Sequence, residues 1–331
     1  MELLSRLKEN ANYGGQAVLE GVMIRGPKAL AVAVRRTDGR IVLKKEPLTP
    51  LTRRHPLLNV PFIRGAFALA DALMTGVRAL RFSADVAMEE ENERAAGDAG
   101  REGLEAAEPA LPPQPRIEVR DVAAGAGVPV WSLVFSLLTA LGIAVAVFVL
   151  FPDFLANLLR GHLPPGKASN ALINLLEGLV RVVLFVGYIV AISRMEAIRR
   201  VFEYHGAEHQ VIYAFENGDQ VTPEAAARYD TAHPRCGTSF IGAVILVGIL
   251  AFSLVDVDTW YLRQAIKLAL LPVIGGISYE VIRLAGAGYL TFLVAPGIWL
   301  QRLTTRRPDR EQAEVAIAAL QGALEQEGRS L

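Results

Sequence analysis

Hydrophobic residues in this 331-residue chain are gathered into long blocks with few charges, and polar segments separate these blocks. A helix of about 20 apolar residues crosses the hydrocarbon core of a bilayer, and four blocks approach or exceed that length. They cover residues 128–151, 172–193, 238–255 and 264–282. The first block carries no charge and, as a helix, would be about 36 Å long. The pattern predicts a mainly α fold, namely a polytopic helical membrane protein with about four spans.

A fifth apolar block, residues 284–300, is interrupted by glycines and by Pro296. Such interruptions favour a re-entrant or interfacial segment, with a fifth span as the alternative. Pro272 and the Gly275-Gly276 pair predict a break in the fourth span.

The polar segments divide the rest of the chain. Residues 31–34 and 41–43 flank an Asp38-Gly39 turn, which predicts a hairpin in a small N-terminal β-region. The glycine-rich segment 14–27 predicts a loop whose backbone approaches another group closely. The predicted domains are a cytosolic β-region with this Gly-rich loop (1–60), an amphipathic interfacial helix (61–88), a disordered acidic linker (89–128), a transmembrane bundle (129–301) with a cytosolic His-rich loop (194–237), and a cytosolic C-terminal helix (302–331). Within the last segment, residues 308–327 predict an exposed, charged amphipathic helix.

The net charge of zero conceals a basic N-terminal region and an acidic linker. Residues 1–88 carry 14 Lys and Arg against 7 Asp and Glu. Near membrane spans this excess favours anionic lipids over nucleic acid as a partner. Arginines also open the 194–237 loop and cluster in the C-terminal tail, which places both in the cytosol by the positive-inside rule. We therefore expect a multi-pass protein of the inner (plasma) membrane with both termini cytosolic, whose partners are membrane lipids and a substrate or protein that the sequence does not identify.

Two of the five histidines, His205 and His209, are four residues apart, with Glu208 between them. On a helix this spacing places all three side chains on one face. The pattern His-x-x-Glu-His is that of inverted zincin metallopeptidases. His233 and the single cysteine, Cys236, follow within a short distance. Together these residues predict a metal centre beside the membrane.

Zinc favours His and Cys ligands, and a catalytic site keeps one position for water. We expect His205, His209 and His233 to bind a divalent metal, with zinc favoured, and Cys236 to be a fourth candidate ligand. If Cys236 also ligates, the site is closed and structural. If it does not, water occupies the fourth position and Glu208 acts as general base. Histidines that only cap helices or reach toward the interface are the alternative without metal.

Arg235 precedes a predicted helix start at Thr238, and together they favour binding of an anionic substrate group. The same arginine would stabilise a Cys236 thiolate, so a nucleophilic cysteine is an alternative, although a ligand or packing role is preferred.

Four motifs in order along the chain resemble the YqhQ-like family. They are residues 14–27 (GGQAVLEGVMIRGP), 202–209 (FEYHGAEH), 233–239 (HPRCGTS) and 296–301 (PGIWLQ). The family comprises bacterial membrane proteins of unknown function, commonly labelled as predicted metal-dependent enzymes. The resemblance covers nearly the whole chain outside residues 89–128 and implies an integral membrane protein of bacterial type. It implies no substrate.

Three functions follow as hypotheses. The first is a membrane-embedded metal-dependent enzyme, a zinc hydrolase with Glu208 and Arg235 as catalytic residues and segment 14–27 as a lid. The second is a non-enzymatic scaffold in which a structural metal or a histidine network staples the loop to the bundle. The third is a transporter, suggested by the interrupted helices and by charges within or beside the spans, namely Glu177, Arg181 and Glu280.

Overall fold

A computed structural model describes residues 13–49, 60, 63–99, 116–120, 130–160, 162, 164, 166–233, 236–255, 257, 259–286 and 295–331. The protein is mainly helical with a small N-terminal sheet. The strands are β1 Gly14–Val18, β2 Gly21–Arg25, β3 Ala29–Arg35, β4 Ile41–Pro47 and β5 Ile117–Val119. The helices are α1 Ile63–Ala99, α2 Val130–Val145, α3 Phe151–Arg160, α4 Lys167–Ile192, α5 Glu196–Glu216, α6 Pro223–Ala226, α7 Gly237–Ser253, α8 Trp260–Gly286, α9 Ala295–Thr304 and α10 Arg310–Gln326, with a π-helical turn Ala146–Leu150 joining α2 to α3.

The sheet has the order β1-β2-β3-β4-β5, antiparallel except for the parallel β4–β5 pair. Residues of β3 alternate between its two faces. Ala31 and Ala33 pack with α5 and α10, whereas Leu30 and Val32 pack with α1. Both faces of the sheet are therefore covered by helices, and we call the five-stranded sheet itself the sheet layer.

The predicted hairpin around Gly39 is confirmed, and Gly39 has the positive φ of 84° that such a turn needs. The predicted loop at 14–27 is wrong, because most of it forms β1 and β2. Its residues are held in strands by the buried side chains of Val18, Val22 and Ile24, which outweigh the low strand propensity of the glycines.

The disorder predicted for 89–128 is wrong where the structure describes this segment. Helix α1 continues to Ala99 and β5 pairs with β4. Here acidic side chains bind the sheet layer: Glu93 pairs with the buried Arg36, and Glu89 pairs with Arg120. Residues 100–115 and 121–129 lie outside the described residues.

The C-terminal helix is amphipathic, as predicted, but it is not merely exposed. Helix α10 begins with a capping box in which Asp309 and Gln312 bond each other's backbone N–H. Its Val315, Ala319 and Leu320 are fully buried against the sheet and α5. The predicted exposed helix is therefore a core element.

Three helices are long and apolar enough to cross a membrane: Val134–Leu159, Leu172–Ile192 and Trp260–Leu284. They fit a membrane protein and match three of the four predicted spans. The helix at the other predicted span, α7, is apolar but shorter. The break predicted at Pro272 is wrong, since α8 runs through it. Residues 287–294 of the predicted re-entrant segment lie outside the described residues, its first residues end α8, and its last residues belong to α9.

A buried group of charges joins three of the bundle helices. Lys267 Nζ of α8 donates to Asp153 Oδ1 of α3 at 2.9 Å and to Glu177 Oε1 of α4 at 2.6 Å. Arg263 also pairs with Asp153 at 3.1 Å. Glu177 also pairs with Arg181 of the same helix at 2.7 Å. Ion pairs shared among helices in this way compensate charges that would be costly in lipid.

We expect Asp153→Asn and Lys267→Met each to lower the free energy of unfolding by about 3–5 kcal/mol, because each leaves buried charges undercompensated. The double variant should lower the free energy of unfolding by less than the sum of the two single effects. Unfolding in detergent measures all three, and Arg310→Met, at an exposed pair with Glu224, is the control, with little expected change. Additive costs would contradict a shared charge group.

Candidate metal centre

Helix α5 carries His205, Glu208 and His209 into the core between the sheet layer and the bundle. Gly206 allows this placement, because a Cβ there would overlap the carbonyl oxygen of Arg306. The Arg306 N–H donates to the Phe202 carbonyl at 2.9 Å. The chain after α9 therefore runs directly against the histidine-bearing turn of α5.

Backbone carbonyls orient both imidazoles. His205 Nδ1 lies 2.9 Å from the Thr304 carbonyl oxygen, and His209 Nδ1 makes a short hydrogen bond to the Thr231 carbonyl oxygen. A carbonyl oxygen only accepts hydrogen bonds, so in each ring Nδ1 carries the hydrogen. In the neutral ring, each Nε2 then presents its lone pair.

The side chains of His205, His209 and Cys236 form one group. Cys236 Sγ lies 3.2 Å from His205 Nε2, and one ligand atom from each of His205, His209 and Cys236 lies within 4.8 Å of the other two. His209 Nε2 is buried and makes no hydrogen bond to a nitrogen or oxygen of the described residues. Glu208 Oε2 is 3.5 Å from it. Three ligand-type atoms and a carboxylate thus converge on one small volume.

Close packing of α7 on α9 brings Cys236 and Thr304 to the same place. A Cβ on Gly242 would lie 2.8 Å from Gly297 Cα, and one on Gly297 would lie 2.5 Å from Ser239 Cα. Small residues at such contacts let helix backbones approach closely. Since α7 begins just after Cys236 and α9 ends at Thr304, the contact aligns the two ends that border the site.

Burial favours the neutral forms of the ionisable groups here. Glu208 is 3% exposed and His209 is 2% exposed. Burial raises the pKa of Glu208, an effect that the nearby His205 and the Gly15 N–H oppose. Burial also lowers the pKa of His209, and His205 adds to this shift.

The close backbone approach predicted for the glycine-rich segment is present at Gly15. A Cβ there would overlap the Met23 carbonyl oxygen and would lie 3.1 Å from Glu208 Cγ. Strand β1 therefore covers the Glu208 carboxylate directly.

His233, predicted as the third metal ligand, has a different setting. Its Nε2 lies 3.2 Å from Glu216 Oε2, and its ring packs edge-on against Tyr213 at 4.3 Å. The Gln301 side chain accepts from its N–H and donates to its carbonyl oxygen. His233 is next to the centre, 5.7 Å from His209 between ring centroids. The three-residue group contains Cys236 instead. Arg235 lies outside the described residues.

Sequence reasoning did not single out Gln301, Glu216, Thr231 or Thr304. Gln301 lies in the PGIWLQ motif, which is a usable signal. The two threonines contribute backbone carbonyls, which any residue type supplies, so no sequence pattern identifies them.

A cavity of about 870 Å³ opens beside the centre. His205 and Cys236 form part of its wall, and β1 and β2 form another part. Residues at the ends of the apolar helices, Ile192 and Ile241, complete it. The volume falls in the range of small-molecule sites.

Residues 60–326 match the family described as "Protein of unknown function (DUF1385)". The chain belongs to this family. It is also similar to "Uncharacterized protein YqhQ" of Bacillus subtilis (strain 168), with 36% identity over 331 residues, covering 99% of this chain and 96% of that protein. The resemblance to YqhQ-like proteins is thereby confirmed. No solved structure matches the chain.

The Glu208 environment predicts a pH effect in metal-free protein. A carboxyl whose pKa is raised by folding binds more protons in the native state, so stability falls as pH rises through and above the ordinary carboxyl pKa. We expect Glu208→Gln to remove this loss and to be more stable than the wild type at neutral pH.

Chemical unfolding of chelator-treated protein between about pH 5 and 8 measures the effect, because this window lies above the ordinary Glu pKa. Glu224→Gln, on the exposed end of α6, is the matched control. Equal pH slopes for wild type and Glu208→Gln would contradict the expectation.

Proposed function

We propose that the protein is a metal-dependent enzyme, a zinc hydrolase, whose metal is held by His205, His209 and Cys236 beside the membrane. The observation that carries the proposal is the convergence of His205, His209 and Cys236, each of which offers a ligand atom within 4.8 Å of the other two. The His209 Nε2 is buried and makes no hydrogen bond to a nitrogen or oxygen of the described residues. A shared cation would bind this lone pair together with the lone pair of His205 and the sulfur of Cys236.

The surroundings of the two histidines support a metal. Metal-binding histidines usually donate their second ring N–H to a carbonyl or carboxylate, which fixes ring orientation and tautomer. Thr304 and Thr231 provide such carbonyls. Two nitrogens and one sulfur also form a donor set that zinc favours.

Three protein ligands leave a fourth position for substrate or water, as catalytic zinc sites do. When bound, zinc supplies Lewis-acid chemistry that makes a coordinated water acidic near pH 7. Glu208 would accept the proton of the attacking water, since its carboxyl group lies 3.5 Å from the His209 Nε2. Burial raises the pKa of Glu208, and a higher pKa makes its carboxylate a stronger general base. The role of Arg235 in orienting an anionic group stays a prediction.

The second candidate is the non-enzymatic scaffold. The observation in its favour is the hydrogen bonding of His233 with Glu216 and Gln301, which ties His233 to α5 and α9. In that case a metal or the histidine network would only fasten these elements. The transporter has less support, because α8 is continuous at Pro272.

Metal analysis of purified protein tests the first proposal. We expect about one zinc per chain in the wild type, loss of tenfold or more in affinity for His205→Ala, His209→Ala and Cys236→Ala, and retention in His233→Ala and Glu208→Gln. His162→Ala, at an exposed loop position, is the control. A metal-free wild type, or full retention in the His205→Ala/His209→Ala double variant, ends the proposal.

Cobalt substitution separates the enzyme from the scaffold. The wild type should show a thiolate charge-transfer band that Cys236→Ser lacks. Added azide should shift the cobalt d–d bands if one coordination position is open. A cobalt spectrum that azide does not change would favour a closed structural site.

We further propose four membrane crossings, with both chain ends on the cytosolic side of the plasma membrane. The sheet packs on both α5 and α10, so these three parts share one side and the chain crosses an even number of times. Helix α7 would supply the fourth crossing. Its 17 residues span about 26 Å, slightly less than the hydrocarbon core. Arginines near α5 and α10 favour the cytosol for that side.

Single cysteines introduced into Cys236→Ser protein test this topology. Thr259, between α7 and α8, and Asn217, after α5, are both exposed. An impermeant maleimide should label Thr259→Cys in intact cells and should label Asn217→Cys only after permeabilisation. Protection of Thr259→Cys in intact cells would show that α7 does not cross.

A further inference from the structure

We infer that the ligand of the 870 Å³ cavity is an anionic membrane phospholipid that enters from the bilayer. As an assignment of the substrate class, this inference rests on the proposed function, but binding of the lipid can be measured without it. The cavity has an apolar side, a polar side and an edge that continues into exposed apolar surface.

The apolar side consists of side chains at the ends of apolar helices. Ile189 and Ile192 belong to the last turn of α4, and Ile241 belongs to the first turns of α7. The same wall reaches His205 and Cys236. A hydrocarbon chain lying against these isoleucines would thus have its polar end next to the candidate metal centre.

Helix α1 forms the edge of the cavity. Ala72 and Thr75 line the cavity, while the neighbouring Leu69, Leu73 and Met74 are 47%, 54% and 48% exposed. Large apolar side chains exposed in a row on one helix mark a surface that lies in a membrane interface. The cavity therefore opens where apolar protein surface meets the bilayer, and an amphiphile can move between the two without crossing water.

The polar side offers a cation. Arg25 of β2 lines the cavity and donates from Nη2 to Asp71 Oδ2 at 3.0 Å. A guanidinium has five N–H donors, so Arg25 retains donors for a second anion. Arginine binds phosphate oxygens through two parallel hydrogen bonds. A phosphate on Arg25, with chains on Ile189 and Ile241, would match both the charged and the apolar residues that line the cavity.

Lipid binding in nanodiscs, followed by native mass spectrometry, tests the inference with two probes, phosphatidylglycerol and phosphatidylcholine. Ala72→Trp would place an indole in the cavity from an exposed helix position. Ala70→Trp adds the same side chain to the same helix outside the cavity and is the matched control. We expect at least tenfold weaker retention of phosphatidylglycerol in Ala72→Trp and wild-type retention in Ala70→Trp.

The head-group contact is tested by Arg25→Gln/Asp71→Asn, which removes both charges and leaves no unpaired carboxylate. This variant should retain the two lipids equally, whereas the wild type should prefer phosphatidylglycerol. Equal retention by the wild type would overturn the role of Arg25. Displacement of the lipid by millimolar glycerol phosphate would overturn a membrane source, because a soluble phosphate would then suffice.

Zinc content of the same samples separates the two proposals. Zinc in the wild type together with unchanged lipid retention in Ala72→Trp overturns the present inference and leaves the metal centre standing. Lipid retention that depends on Ala72 in a protein without zinc supports the lipid site and overturns the metal enzyme.

Discussion

The whole arrangement depends on backbone-to-backbone approach at a few glycines around α5. Gly206 admits the carbonyl of Arg306, and Gly15 admits β1 onto Glu208. Gly242 and Gly297 seat α7 on α9. A methyl group at any of these positions would push apart the two elements in contact there, and a close-packed interior has little room to adapt to that change. The polar groups of the centre can be buried because the backbone itself covers them.

The site lies where two kinds of packing meet. On one side, β-strands and α10 bury an alternating apolar pattern, as in a soluble domain. On the other side, helices with outward-facing Trp131, Phe135 and Leu138 are held together by buried ion pairs. Arg64 of α1 binds Glu280 of α8 at 2.7 Å and ties the two parts together. A site at this junction could receive water from one side and a lipid-soluble molecule from the other.

Much of the fold could be predicted from the sequence, because long apolar blocks and a DG turn are local signals. The helical spacing of His205, Glu208 and His209 correctly placed three groups on one face. The sequence could not decide whether His233 or Cys236 joins His205 and His209, since both residue types ligate metals. Carbonyls of Thr231 and Thr304 decide which way the rings point, and those contacts join distant parts of the chain. Segment 89–99 looked disordered because its charges find partners only in the folded sheet layer.

Strand β3 contacts α10, a helix that is synthesised much later. Arg35 of β3 donates to the backbone of Glu311, 276 positions later in the chain. At about 5–20 residues per second, translation separates these two residues by roughly 14–55 s. During that interval the apolar surface that α10 will cover has no covering helix. A chain that stops before α10 therefore exposes this apolar face, and exposed apolar surface of that kind favours association with other chains or with a lipid surface.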